Sequence, residues 1–147
     1  MVEVRNETAE RVDVAGIVTA VERVLKDGGA RGAEVAVLLV DETEMTRLNR
    51  LHRGRDEVTD VLSFPIDADD DLPAGLPRML GDVVVCPAQA ARQAAEAGVE
   101  RGEELATLVV HGTLHLLGHD HETDDGEMLR RQDAIRTSVD AVGWSTT

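Results

Sequence analysis

EVAVLLVDETEMTRLNRL, residues 34–51, holds the junction that decides the fold class. Glu34 to Val40 is rich in Val and Leu and reads as a buried strand. Asp41 follows, with Glu44 three residues on, a capping-box pattern that starts a helix running through about Leu51. A buried strand feeding directly into a capped helix commits this part of the chain to a sheet covered by helices.

The flanks extend that pattern. Upstream, apolar residues at 14, 17, 18, 21, 24 and 25 form one helical face, stopped by Gly28-Gly29. Val2 to Arg5 alternates apolar and polar, as a short strand does. Downstream, Thr59 to Ile66 reads as another strand. The Asp-, Pro- and Gly-rich stretch Asp67 to Pro77 reads as a loop able to act as a flap over a site. Gly81-Asp82 leads into a strand at Val83-Val84-Val85, and Pro87 suits a first helical turn. Helices are expected at about 88–97, 102–117 and 125–140, with a frayed end after them. The order predicts one α+β domain over residues 1–147, with a mixed sheet of about four strands packed by about five helices. Strand order does not follow from the pattern.

Composition narrows the class. The chain has 147 residues, 42% apolar and 30% charged, which fits one globular core. Phe64 and Trp144 are its only Phe, Tyr or Trp residues, so the core is aliphatic. The lone Cys86 has no partner for a disulfide, which fits a reducing cytoplasm. The first residues carry no basic-then-apolar leader, and no run of 18 apolar residues suggests a membrane span. A formal charge of −14 repels phosphate at long range but leaves room for a local basic site.

The chemistry concentrates in HGTLHLLGHDH, residues 111–121. His111 and His115 are four apart on a helical segment, so both imidazoles share a face and can reach one ion. Gly118 suits the left-handed residue that ends a helix, after which the chain can return His121 as a third ligand. Three imidazoles leave a fourth tetrahedral position open, the mark of a catalytic site. Zinc is the first choice of ion, and nickel also suits three imidazoles. His119 is a neighbour that can compete for the ion. The spacing also matches the long zinc-protease signature, but that signature has a glutamate after its first histidine as general base, and Gly112 stands there instead.

A second cluster, RLNRLHRGRD at residues 47–56, is the densest basic stretch of the acidic chain. Arginine grips phosphate with two parallel hydrogen bonds. Arg47 and Arg50 read as salt-bridged residues of a solvated helix face. Arg53 and Arg55 stand where a turn before TDVLSFP can aim them into a site.

Three segments together resemble the YbeY family of endoribonucleases, the rRNA maturation factors. HGTLHLLGHDH is similar to that family's H-G-x-L-H-L-x-G-Y-D-H signature. Arg53-Gly54-Arg55-Asp56 followed by TDVLSFP (residues 59–65) is similar to its Y-R-G-K-D-x-P-T-D-V-L-S-F-P, and LGDVVVCP (residues 80–87) to its L-G-D strand. The departures are His119 and His52 for tyrosines and Val58 for a proline. They touch neither the three histidines nor Arg53. The resemblance implies an α+β fold and one zinc-type ion on His111, His115 and His121. It also implies a functional Arg53 acting beside the ligand His111, and cleavage of single-stranded RNA. The implied setting is rRNA maturation and ribosome quality control in the cytoplasm, with the ribosome or ribosomal proteins as partners. Asp82, Asp120 and Glu122 are candidates to orient the ligand imidazoles. Two other classes stay open: a metallohydrolase of another substrate, and a non-catalytic ribosome-assembly factor stabilised by its metal.

Overall fold

The computed structural model describes residues 1–66, 78–118, 126–141 and 144–146. In chain order the elements are β1 (Val2–Asn6), β2 (Arg11–Val12), α1 (Val14–Asp27), β3 (Glu34–Leu39), α2 (Glu42–Arg53), β4 (Val61–Pro65), β5 (Met79–Val85), α3 (Pro87–Ala97), α4 (Arg101–Leu116), α5 (Glu127–Ser138) and β6 (Ser145–Thr146). A four-stranded mixed sheet has the order β1-β3-β5-β4. β3 pairs in parallel with β1 and with β5, while β4 runs antiparallel to β5. This is the α+β arrangement expected from the sequence.

Period-two burial along β3 sends Val35, Val37 and Leu39 to one face. They join Val83 and Val85 of β5 in the main core, under α1 and α4. On the other face Val84 and Leu62 meet Val40, Met45 and Cys86 in a smaller cluster that also takes in Leu48 and Ala88. α1 is capped by Asp13, whose carboxylate accepts from Gly16 N at 3.0 Å. It buries Ile17, Ala20, Val21, Val24 and Leu25. At α2, Asp41 accepts from Glu44 N at 2.8 Å. Glu44 does not reach back to the cap, as a full capping box requires; its carboxylate pairs with Arg47.

α4 is the central helix, packed against α1, α3, α5, β4 and β5. It buries Leu105, Leu108, Val109, Val110, Leu114 and Leu116, more than one narrow stripe. Each fully buried Val or Leu contributes about 1.5–3 kcal/mol, so the position of α4 is strongly determined.

The structure corrects the sequence reading at several boundaries. β5 begins at Met79, ahead of the valine run, and β4 begins at Val61, two residues later than expected. The expected frayed tail is tied down. β6 pairs with β2, Trp144 O accepts from Asp13 N at 2.8 Å, and the Trp144 side chain is 2% exposed. The tryptophan fits because Gly16 of α1 lacks a side chain where the ring lies, and Gly102 of α4 lacks one where the Ala141 carbonyl and the Trp144 backbone and Cβ pass. The loop expected at 67–77 is outside the described residues.

Candidate metal and nuclease site

α4 carries His111 and His115 one turn apart and half-buried. Their Nε2 atoms stand 3.0 Å from each other, with ring centroids 4.6 Å apart and planes at 73°. The helix ends as its glycine predicts. Gly118 has φ +93°, and its N–H reaches His115 O at 3.0 Å. His119, Asp120, His121 and Glu122 fall outside the described residues.

The pair suits a tetrahedral ion. With metal–nitrogen bonds of about 2.0–2.1 Å, two tetrahedral ligand nitrogens stand about 3.3 Å apart. The observed 3.0 Å is close to that separation. The other ring nitrogen of His111, Nδ1, lies 2.7 Å from Gln132 Oε1 of α5. Within the described residues no third His, Cys, Asp or Glu joins the pair.

A cavity of about 310 Å³ opens over the histidines, lined also by Arg53, Asp60, Val61, Ser63 and Pro65. Arg53 is the last residue of α2, and Gly54 at φ +71° turns the chain immediately after it. Asn49 then holds the following loop, donating through Nδ2 to Glu57 O at 2.8 Å. Three of the four arginines in this stretch are occupied: Arg47 with Glu44, Arg50 with Asp56 and Arg55 with Glu57. Arg53 makes no ion pair among the described residues and lines the cavity. Arg55, grouped with Arg53 in the sequence reading, does not line it.

The sequence reading missed Asp60, Ser63 and Gln132. Asp60 Oδ1 accepts from Val61 N at 2.7 Å, and Oδ2 accepts from Gln93 Nε2 at 3.2 Å, so its carboxylate is fixed at the cavity wall. Together with burial, its charge pushes the Glu104 carboxyl above the usual range, burial being the larger cause. Ser63 Oγ donates to Gly112 O at 2.8 Å and ties β4 to the histidine helix. Ser63 and Asp60 were visible only as parts of TDVLSFP.

Two neighbours of the histidines have clear places. Gly112 lies against the sheet: a Cβ there would stand 2.6 Å from Val83 Cγ1 and 3.1 Å from Val61 Cγ2. The position that holds the protease glutamate is thus filled by the sheet. Since Val83 faces α4, Asp82 projects from the opposite face of β5. It lines a separate small groove with Glu34, Ala36 and Met79. The structure does not bring Asp82 to the imidazoles.

The family model described as endoribonuclease YbeY matches residues 3–140 of this chain. The chain belongs to the YbeY family. The matched span contains Arg53, His111, His115 and His121. A curated endoribonuclease YbeY of Halorhodospira halophila is 47% identical over 113 residues, covering 77% of this chain and 73% of that protein. The Roseiflexus castenholzii endoribonuclease YbeY is 42% identical over 140 residues, covering 91% and 88%. Among solved structures, a Thermotoga maritima protein determined in solution superposes with a TM-score of 0.64 at 31% identity, over 92% of this chain and 87% of that one. Among the described residues of this YbeY-family chain, no helix is long and apolar enough to cross a membrane.

Proposed function

We propose that this chain is a metal-dependent endoribonuclease that cleaves single-stranded RNA, with Arg53 and the histidine helix facing each other across the substrate cavity. The observation that carries the reading is the placement of Arg53, which makes no ion pair among the described residues, and two converging imidazole nitrogens on one cavity of about 310 Å³. Family membership supports the RNA substrate.

His111 and His115 would hold the ion together with His121. Zinc is the first candidate, and nickel suits the same imidazoles. A divalent ion bound there supplies Lewis acidity, drawing charge from a phosphoryl oxygen and easing the deprotonation of water. Arg53 binds the scissile phosphate and neutralises the charge that grows on its oxygens as the attacking oxygen adds. Among the described residues Arg53 has no carboxylate partner to compete with phosphate. Ser63 holds Gly112 and keeps the helix at a fixed distance from β4. Asp120 and Glu122 remain candidates to orient imidazoles. The biological setting we propose is rRNA maturation and ribosome quality control in the cytoplasm, with ribosomal partners. Few cations and a charge of −14 give weak RNA affinity, so targeting falls to the partner.

The test is cleavage of an end-labelled single-stranded RNA by zinc-loaded protein, with His115→Ala and Arg53→Ala prepared identically. Cleavage lost in both variants supports the reading. A 5′-phosphate product identifies water as nucleophile, and a 2′,3′-cyclic phosphate identifies the RNA 2′-hydroxyl. Activity that survives both substitutions overturns it.

A further inference from the structure

We propose that Gln132 is a positioning residue whose amide oxygen holds His111 in the Nδ1–H tautomer and so aims the Nε2 lone pair at the ion. The inference rests on the metal reading of His111 and His115 given above. It assigns a specific task to α5, a helix that contributes no ligand.

A neutral imidazole carries one N–H and one lone pair. An amide oxygen only accepts, so the 2.7 Å contact requires the proton on Nδ1, which donates to Gln132 Oε1. The lone pair is then on Nε2, the atom that stands 3.0 Å from His115 Nε2. A free histidine side chain favours the opposite tautomer, with the proton on Nε2, where it blocks ligation. Gln132 therefore favours the form of His111 able to bind metal, and it makes that ring a better donor by accepting from its far side.

Gln132 is itself well placed for this. Met128 and Gln132 are four residues apart on α5, and Ile135 and Arg136 follow at three and four, so they lie on one side of the helix. Met128 and Ile135 are buried in the main core. Arg136 Nε donates to Glu103 O and to Thr107 Oγ1 of α4, each at 3.2 Å. Arg131 bridges to Asp27 at 2.9 Å. These anchors fix α5 against α4 and the end of α1 and leave Gln132 little freedom in where its amide meets the His111 ring. In the bare sequence Gln132 is one polar residue in a polar helix, 21 positions from the histidine it contacts.

The experiment uses the full chain with Gln132→Met, which keeps the volume and removes the acceptor, and Gln132→Glu, which keeps an acceptor. Long-range proton–nitrogen NMR of the metal-free proteins reads the His111 tautomer directly. Competition with a chromophoric chelator reads zinc affinity, and His115→Ala marks the level expected without a two-histidine site. The expected result is Nδ1–H at His111 in wild type and in Gln132→Glu, and a shift toward Nε2–H in Gln132→Met. Zinc affinity should fall about 10–100-fold in Gln132→Met and be retained in Gln132→Glu. Matched urea midpoints across the variants separate this loss from unfolding. A wild-type ring with its proton on Nε2, or a Gln132→Met protein that binds zinc as tightly as wild type, overturns the inference alone. Wild type that binds zinc no better than His115→Ala overturns the metal reading, and the inference with it.

Discussion

Gly112→Ala sets two opposed effects against each other at the centre of the site. In a helix interior alanine is better than glycine by about 1 kcal/mol, so propensity alone predicts a more stable protein. The packing predicts the reverse. The added methyl would stand 2.6 Å from Val83 Cγ1, 3.1 Å from Val61 Cγ2 and 3.3 Å from Ser63 Oγ. Val83 is fully buried and β-branched, so it has no easy rotamer to adopt. Overpacking of this kind costs about 1–3 kcal/mol. Displacing Ser63 from Gly112 O would cost about 1 kcal/mol more. The net is a loss of about 1–3 kcal/mol, or about 2–4 °C of Tm per kcal/mol. Relief requires α4 to withdraw from the sheet by several tenths of an ångström, carrying both histidines away from Arg53. A misplacement approaching 1 Å costs about 100-fold in rate for a positioned reaction. On the proposed function, cleavage should fall by about 10–100-fold, while zinc affinity changes less because both imidazoles ride on one helix. Urea denaturation followed by circular dichroism, with RNA cleavage on the same samples, reads both quantities. An unchanged or higher urea midpoint with full cleavage would show that α4 does not approach β5 this closely.

Trp144→Ala should cost about 3–5 kcal/mol, because Trp144 is 2% exposed and its ring fills the space above Gly16; a change under 1 kcal/mol in chemical denaturation would return the tail to the frayed state its sequence suggests. Glu104→Gln tests the raised carboxyl. A group whose folded pKa is raised contributes stability that is full below its unfolded value of 4.5 and is lost as pH rises through the folded value. The variant should therefore match wild type at pH 4 and exceed it at pH 7 in urea midpoint, and equal midpoints at pH 7 would contradict the burial cause. Arg53→Lys keeps the charge and removes the paired donors; cleavage should drop at least about 10-fold with no change in Tm, since Arg53 holds no carboxylate within the described residues. Full activity would mean that charge alone suffices there.

The elements that could be read from the chain are those whose signal is local. α1 declares itself by an apolar face and the Gly28-Gly29 stop, α2 by Asp41, and α4 by its long apolar run around two histidines. The missed features depend on partners distant in sequence. β2 and β6 are two residues each, too short for any period, and exist only because Arg11 and Val12 meet Thr146 and Ser145. The early start of β5 is hidden by Gly81 and Asp82, which weaken the apolar pattern. The placement of Asp82 is different, because strand parity was present in the sequence. Once Val83 is assigned to the core beneath α4, Asp82 must face the other way. Gln132 has no such signal. Only the docking of α5 on α4 converts an ordinary helix-surface glutamine into a neighbour of His111.

Charge and geometry combine into one view of the site. A chain of formal charge −14 cannot attract RNA by its overall field. Among the described residues six of its fourteen arginines, Arg5, Arg47, Arg50, Arg55, Arg92 and Arg131, each face a carboxylate. The fold leaves Arg53 unpaired within the described residues at the cavity that also holds the two imidazoles. On the proposed function, this arrangement favours local recognition over capture. A phosphate delivered to the cavity meets the Arg53 guanidinium directly, while an RNA strand in free solution meets a repulsive surface. With almost no aromatic side chains for base stacking, the chain also has little means of reading sequence. The acidity then acts as a selectivity device: it suppresses cleavage of RNA met at random and confines it to strands that a partner positions.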